Sequence, residues 1–216
     1  MLERIISFLY LIPAAMIAIT LHEVAHGYMA YWLGDPTAKD EGRLSLNPLK
    51  HFDLFGLICL VFFRVGYAKP VNITPIFFKK PKLGIALVSL AGPLTNFIVA
   101  IESLFFYVLL YRFNSVTIVY IIMKFLLYLG LINIGLGLFN LIPIPPLDGS
   151  KIFGVILPDN VYAKYITQEK VGMSIVILLL LLNYVSAYIT QSGTLFSIVV
   201  EYIYTGIINI FAMIFY

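Results

Sequence analysis

The chain has 216 residues, of which 61% are hydrophobic and 12% charged, with a mean hydropathy of +0.97. A soluble globule carries about twice that charged fraction, so the composition excludes an ordinary soluble domain and points to an integral membrane protein. The formal net charge of +3 is spread through loops, which argues against a nucleic-acid partner, and the single cysteine, Cys59, excludes an intramolecular disulfide.

In chain order, residues 5–34 predict a first helix whose only formal charge is Glu23. It would be roughly 45 Å long at 1.5 Å per residue, enough to span a bilayer while tilted or protruding. Pro13 predicts a kink, because its ring removes one backbone hydrogen bond. Residues 5–21 imitate a signal-peptide core, but the apolar character runs on past His26 to Gly34, so a retained helix is expected, with no spanning helix before it. A polar stretch, 35–53, precedes the run LFGLICLVFF, whose 10 residues end at Arg64. That is short for a spanning helix and suits a re-entrant or interfacial element.

Pro70, Pro75 and Pro81 argue against helix in residues 65–82. Two spanning helices are predicted next, 83–111 with one acid, Glu102, and 113–139 with one base, Lys124. Prolines 143, 145 and 146 then break the chain, and a polar stretch runs to Lys170. Residues 171–200 are uncharged, Glu201 precedes the last apolar tail, and TQSG at 190–193 divides this region into two helices. The expected fold is an all-α polytopic membrane protein with about five transmembrane helices and a short re-entrant or β-hairpin element. It forms one domain over 1–216, with a core of about 1–170 and additional C-terminal helices in 171–216.

If residues 54–63 are re-entrant, the loops 35–53, 65–82 and 140–170 share one face. That face carries ten of the fourteen Lys and Arg (Lys39, Arg43, Lys50; Lys69, Lys79, Lys80, Lys82; Lys151, Lys164, Lys170). By the positive-inside rule it is cytoplasmic, and His22 lies toward the cytoplasmic end of the first helix.

Three motifs carry chemistry. In HEVAH, residues 22–26, the two histidines are four apart and leave one face of a helix a turn apart. That spacing grips a tetrahedral Zn²⁺ and sets Glu23 beside it as a general base toward water. The alternative is a pair of core histidines with a paired acid, but ionisable groups at membrane depth are costly and usually functional. For a third ligand the sequence offers His51, Glu102, Glu201 and Asp148. His51 sits in a polar loop and reads as a surface or interfacial side chain. Asp148 is the better candidate: it follows the proline-broken stretch NLIPIPPLDG, residues 140–149, at about the depth of His22, and irregular backbone at that depth is tolerated where it lines a cavity. The third motif, AGPLTN at 91–96, offers small residues for close helix approach and an Asn able to bond across to a neighbour.

Together, and in this order, the three motifs resemble the site-2 protease family of intramembrane zinc metalloproteases: an HExxH helix, an AGPxxN stretch and an NxxPxPxLDG segment. The longer context LHEVAHGYMAYWLGDPTAKDEGRLSLNPLKHFD is similar to the compact prokaryotic members, without PDZ or CBS domains, and the likeness spans roughly residues 1–170. The resemblance implies that His22, His26 and Asp148 hold one zinc ion per chain and that Glu23 is general base and proton shuttle. It also implies that Asn140 donates to the oxyanion of the tetrahedral intermediate, while Asn96 and Gly92 shape the core around the site. The implied activity is hydrolysis of peptide bonds within or next to transmembrane segments of membrane-protein substrates, in the cell (plasma) membrane of a prokaryote, with the active site toward the cytoplasm. Residues 54–63 and their flanks would form the family's β-hairpin. The rival readings are a membrane metal transporter, whose outward path could use Thr20, Glu102, Asn133 and Asn183, and an inactive, client-binding family member.

Overall fold

A computed structural model describes residues 2–52, 69–190 and 194–216. Helix α1 (Leu2–Trp32) runs unbroken through Pro13, and a short α2 (Thr37–Asp40) follows it. After two 3-10 turns, at Pro48–Lys50 and Pro75–Phe77, come α3 (Pro81–Leu110) and α4 (Thr117–Asn140), joined by a third at Tyr111–Phe113. The C-terminal part holds α5 (Asp148–Gly154), α6 (Asp159–Ile166), α7 (Glu169–Thr190) and α8 (Leu195–Phe215). The break around TQSG thus separates α7 from α8.

Among the described residues, four helices are long and apolar enough to cross a membrane: Ser7–Trp32, Pro81–Phe113, Thr117–Asn140 and Leu195–Phe215. A fifth crossing is possible if Asp159–Ile166 and Glu169–Leu182, bent by 61°, form one span. The chain is therefore an all-α polytopic membrane protein. Beyond an isolated bridge at Phe52, the described residues contain no strand, and the predicted re-entrant or hairpin run 54–63 lies outside them.

Helix α3 is the centre of the bundle. It runs antiparallel to α1, with Asn96 against Ala18 and Val88 against His26. On its other side Ala100 and Leu104 pack with Ile134 of α4, and Val200, Ile203 and Ile207 of α8 close over that cluster. Small residues on α3 (Gly84, Ala86, Ser89, Ala91, Gly92) are buried, which lets neighbouring backbones approach closely. Helix α8 begins near α4, with Phe196 beside Gly135, and ends at the far end of α3, where the Tyr216 hydroxyl donates to the Val108 carbonyl. It therefore runs parallel to α3.

The polar stretch after α1 is folded back along that helix. Leu44 covers Gly27, and Phe52 is buried against Ile12, Ala15, Met16 and Ile19 of α1 and Ile132 of α4. His51, expected at the surface, is fully buried, and its Nε2 bonds the Ser45 carbonyl. The reason is this fold-back: the loop carries hydrogen bonds of its own into the bundle, the His51 Nε2–Ser45 carbonyl contact among them, while Phe52 packs on α1. Arg43 gathers the neck of the following segment, donating to the carbonyls of Lys50, Lys69 and Pro70, while the Lys69 N–H donates to the His51 carbonyl at 2.8 Å.

Candidate metal centre

Three acceptor atoms converge where α1, α3 and α5 meet. His22 Nε2 and His26 Nε2 are 3.0 Å apart, and Asp148 Oδ2 lies 3.1 Å from the first and 3.2 Å from the second. All three residues are buried. The i, i+4 spacing on α1 supplies the histidines, and Asp148, the first residue of α5, is delivered by the proline-broken segment that follows α4. Gly149 allows that delivery: a Cβ there would lie 2.2 Å from the Leu141 carbonyl oxygen. Gly92 makes room on the opposite wall, where a Cβ would lie 2.5 Å from His26 Cε1 and 2.6 Å from His22 Cε1.

The hydrogen bonds behind the imidazoles decide what this triangle is for. His26 Nδ1 lies 2.7 Å from the Val88 carbonyl, which can only accept, so the proton sits on Nδ1. His22 Nδ1 lies 2.6 Å from Asn96 Oδ1 and is likewise the donor. Each Nε2 then presents a lone pair to the other and to the carboxylate. Three lone-pair donors facing one another in a buried space repel unless a cation sits between them, and edges of 3.0–3.2 Å approach the roughly 3.3 Å edge of a tetrahedral zinc site with bonds of about 2.0–2.1 Å. The donor set fits zinc. Asp148 turns its Oδ2 to the two imidazoles. Its second oxygen, Oδ1, faces the Lys151 ammonium at 3.8 Å.

Glu23, half-buried on the next position of α1, accepts the Val71 N–H on Oε2 at 3.1 Å. The segment carrying Val71 is pinned on both sides. Arg43 holds the carbonyls of Lys69 and Pro70, and the fully buried Asp35 accepts the Thr74 N–H at 2.6 Å and the Thr37 N–H at 3.0 Å.

Comparisons with known proteins bear on the family of this chain. The model of peptidase family M50 matches residues 111–183, the part that includes Asp148. YwhC of Bacillus subtilis (strain 168), a protein named for zinc metalloprotease activity, is 40% identical over 183 residues, covering 83% of this chain and 83% of YwhC. The chain belongs to peptidase family M50, the site-2 proteases. It is also 30% identical to Rip2 of Mycolicibacterium smegmatis over 66% of this chain and 55% of that protein. Likeness to MJ0392 of Methanocaldococcus jannaschii, a zinc metalloprotease by name, is 29% over 79% of this chain and 41% of that protein. No solved structure matches. As an M50 member the chain is a zinc metalloprotease, and its apolar helices make it a membrane protein.

Of the residues singled out in the sequence, the structure brings His22, His26 and Asp148 together with Glu23 beside them. Asn140 is not drawn in: its amide donates to the Leu136 carbonyl of its own helix at 3.0 Å. His51 stays apart from the triangle, and Glu102 and Glu201 are exposed on α3 and α8. Sequence reasoning missed Asn133, Asp35, Arg43 and the Val71 N–H as site residues. An Asn inside a nearly uncharged helix is a usable signal for the first; a backbone N–H has no signature in sequence at all.

Proposed function

We propose that this chain is an intramembrane zinc metalloendopeptidase that hydrolyses peptide bonds within or next to transmembrane segments of membrane-protein substrates. One zinc ion per chain is held by His22, His26 and Asp148. The observation that carries this reading is the convergence of the buried His22 Nε2, His26 Nε2 and Asp148 Oδ2 to within 3.0–3.2 Å of one another, with each Nδ1 turned to an oxygen acceptor. Zinc, when bound at such a site, supplies Lewis acidity toward water and the scissile carbonyl.

The chain's own residues do the rest. Glu23 has one carboxylate oxygen tied to Val71 and the other without a hydrogen bond among the described residues, so it takes a proton from the attacking water and passes it to the leaving amide nitrogen. Asn140, at the end of α4, serves as oxyanion donor after its side chain leaves the Leu136 carbonyl. An apolar groove of about 390 Å³ between α1 and α3, lined by Ala25, Tyr28, Trp32 and Leu94, lies beside the ligands and favours an apolar substrate segment. Such a segment must unwind to expose its amide, and edge-strand addition near the site is one way to hold it. The concentration of Lys and Arg in the loops at the Asp148 end supports a cytoplasmic-facing site in a prokaryotic plasma membrane.

The deciding experiment measures zinc content and cleavage of a transmembrane reporter for wild type, Glu23→Gln and Asp148→Ala. One equivalent of zinc, lost in Asp148→Ala and kept in Glu23→Gln, with cleavage lost in both, is the expected result. Zinc-dependent ion flux in proteoliposomes without cleavage would instead select the transporter reading. Its outward path is thin, because Asn133 is already spent in internal hydrogen bonds.

A further inference from the structure

The two ligand histidines are held by unlike partners. His26 leans on a backbone carbonyl, which can only accept. His22 leans on a side-chain amide, which is nearly the same shape after a half-turn but then presents N–H instead of oxygen. With Asn96 reversed, its NH₂ would face His22 Nδ1. The imidazole would have to carry its proton on Nε2 and would lose the lone pair that faces the other ligands.

What holds Asn96 in the useful direction lies on another helix. Its Nδ2 donates to Asn133 Oδ1 at 2.7 Å and to the Ala18 carbonyl at 3.3 Å. Asn133 in turn donates through Nδ2 to the Leu129 carbonyl at 2.8 Å. Each direction forces the next: Leu129 accepts, so Asn133 presents oxygen, so Asn96 presents oxygen to His22. Reversing Asn96 would press its oxygen against the Ala18 carbonyl and Asn133 Oδ1. Asn96 and Asn133 are both 0% exposed, so water is not at hand to relieve that clash.

We propose that Asn133, whose side chain hydrogen-bonds Asn96 and the Leu129 carbonyl rather than a ligand, is a positioning residue of the metal centre: through Asn96 it fixes the proton of His22 on Nδ1 and turns Nε2 toward the metal. This rests on the metal-site reading above. It also makes the two histidines unequal. His26 is set within the α1–α3 pair, whereas His22 depends on α4, the helix whose end also leads to Asp148.

The test uses the full chain purified in detergent, with zinc affinity measured by competition against chelators of graded strength. Asn133→Leu removes the acceptor and the donor, and affinity should fall by roughly 10- to 100-fold, the usual cost of losing an outer partner of a ligand histidine. Asn133→Asp should stay near wild type, because a carboxyl in this apolar interior keeps its proton and then accepts from Asn96 while donating to Leu129. Asn133→Ala removes the same partner with less bulk and carries the test if the Leu variant does not fold.

The second readout is the imidazole N–H resonances of zinc-loaded, ¹⁵N-histidine-labelled protein, which has only three histidines to assign. In Asn133→Leu the His22 Nδ1–H resonance should move and exchange faster while that of His26 stays in place. Equal disturbance of both histidines, an unchanged affinity in Asn133→Leu, or an Asn133→Asp variant as weak as Asn133→Leu would each overturn the proposal while leaving the metal site standing. A wild-type chain that binds no zinc would overturn the site reading and this proposal with it.

Discussion

The α1–α3–α4 core and the C-terminal pair α7–α8 are both strongly apolar, yet they are built on opposite rules. In the core, small residues bring backbones together and the buried His22, His26, Asn96 and Asn133 make directed hydrogen bonds, with Glu23 bonded beside them. In α8 no residue is fully buried, and in α7 Val176 is the one buried hydrophobic among the described side chains. Lipid is as apolar as leucine, so burying leucine against another helix there gains little. What separates the regions is therefore close approach and directed polar contacts across helices, not hydrophobicity.

Substitutions can break that contrast, and the chemistry itself should respond most. Glu23→Gln is expected to lower cleavage by about 10²- to 10⁴-fold, the usual worth of a general base, with zinc content unchanged by metal analysis. The same small change made at two glycines then sharpens the comparison. Gly92→Ala puts a methyl where His26 Cε1 lies 2.5 Å away, so both imidazoles must shift. Cleavage should fall about 100-fold, the scale expected for misplacement by an ångström, and zinc should be lost more readily to a chelator. Gly206→Ala in α8 meets nothing within 4 Å. Activity should match wild type, and thermal unfolding in detergent should show equal stability or a gain of about 0.5–1 kcal/mol.

Asp35→Ala comes next. It orphans the N–H groups of Thr37 and Thr74 and frees one side of the segment that carries Val71. Hydrogen bonds to a charged group are worth about 1.5–3 kcal/mol each, so a lower unfolding temperature and slower turnover at unchanged zinc content are expected. Among the substitutions around the site, Lys151→Met should matter least. Its ammonium is partly exposed and 3.8 Å from Asp148 Oδ1, and a screened pair of this kind is worth about 1 kcal/mol or less, about fivefold in zinc affinity.

Much of this was legible in the chain because the chemistry concentrates its signature: HEVAH and LDG announce candidate ligands by residue type and spacing, and uncharged runs announce helices. Asn96 was legible as a buried amide able to bond across helices, but not its partner, since nothing local in AGPLTN names a histidine seventy-four residues earlier. His51 was misjudged for a related reason. A polar loop reads as wet, and the fold-back that buries it is fixed by Phe52 inserting between α1 and α4, a long-range packing event. The support of Glu23 was illegible in principle, because its partner is a main-chain N–H placed by two distant charged side chains.

The neck gathered by Arg43 has a consequence of its own. One guanidinium ties the carbonyls on both sides of residues 53–68 together, so the chain enters and leaves that stretch at nearly one point. The Val71 N–H that meets Glu23 is therefore set by side chains at its own base, Arg43 on one side and Asp35 on the other, and a change at either reaches the carboxylate through the main chain.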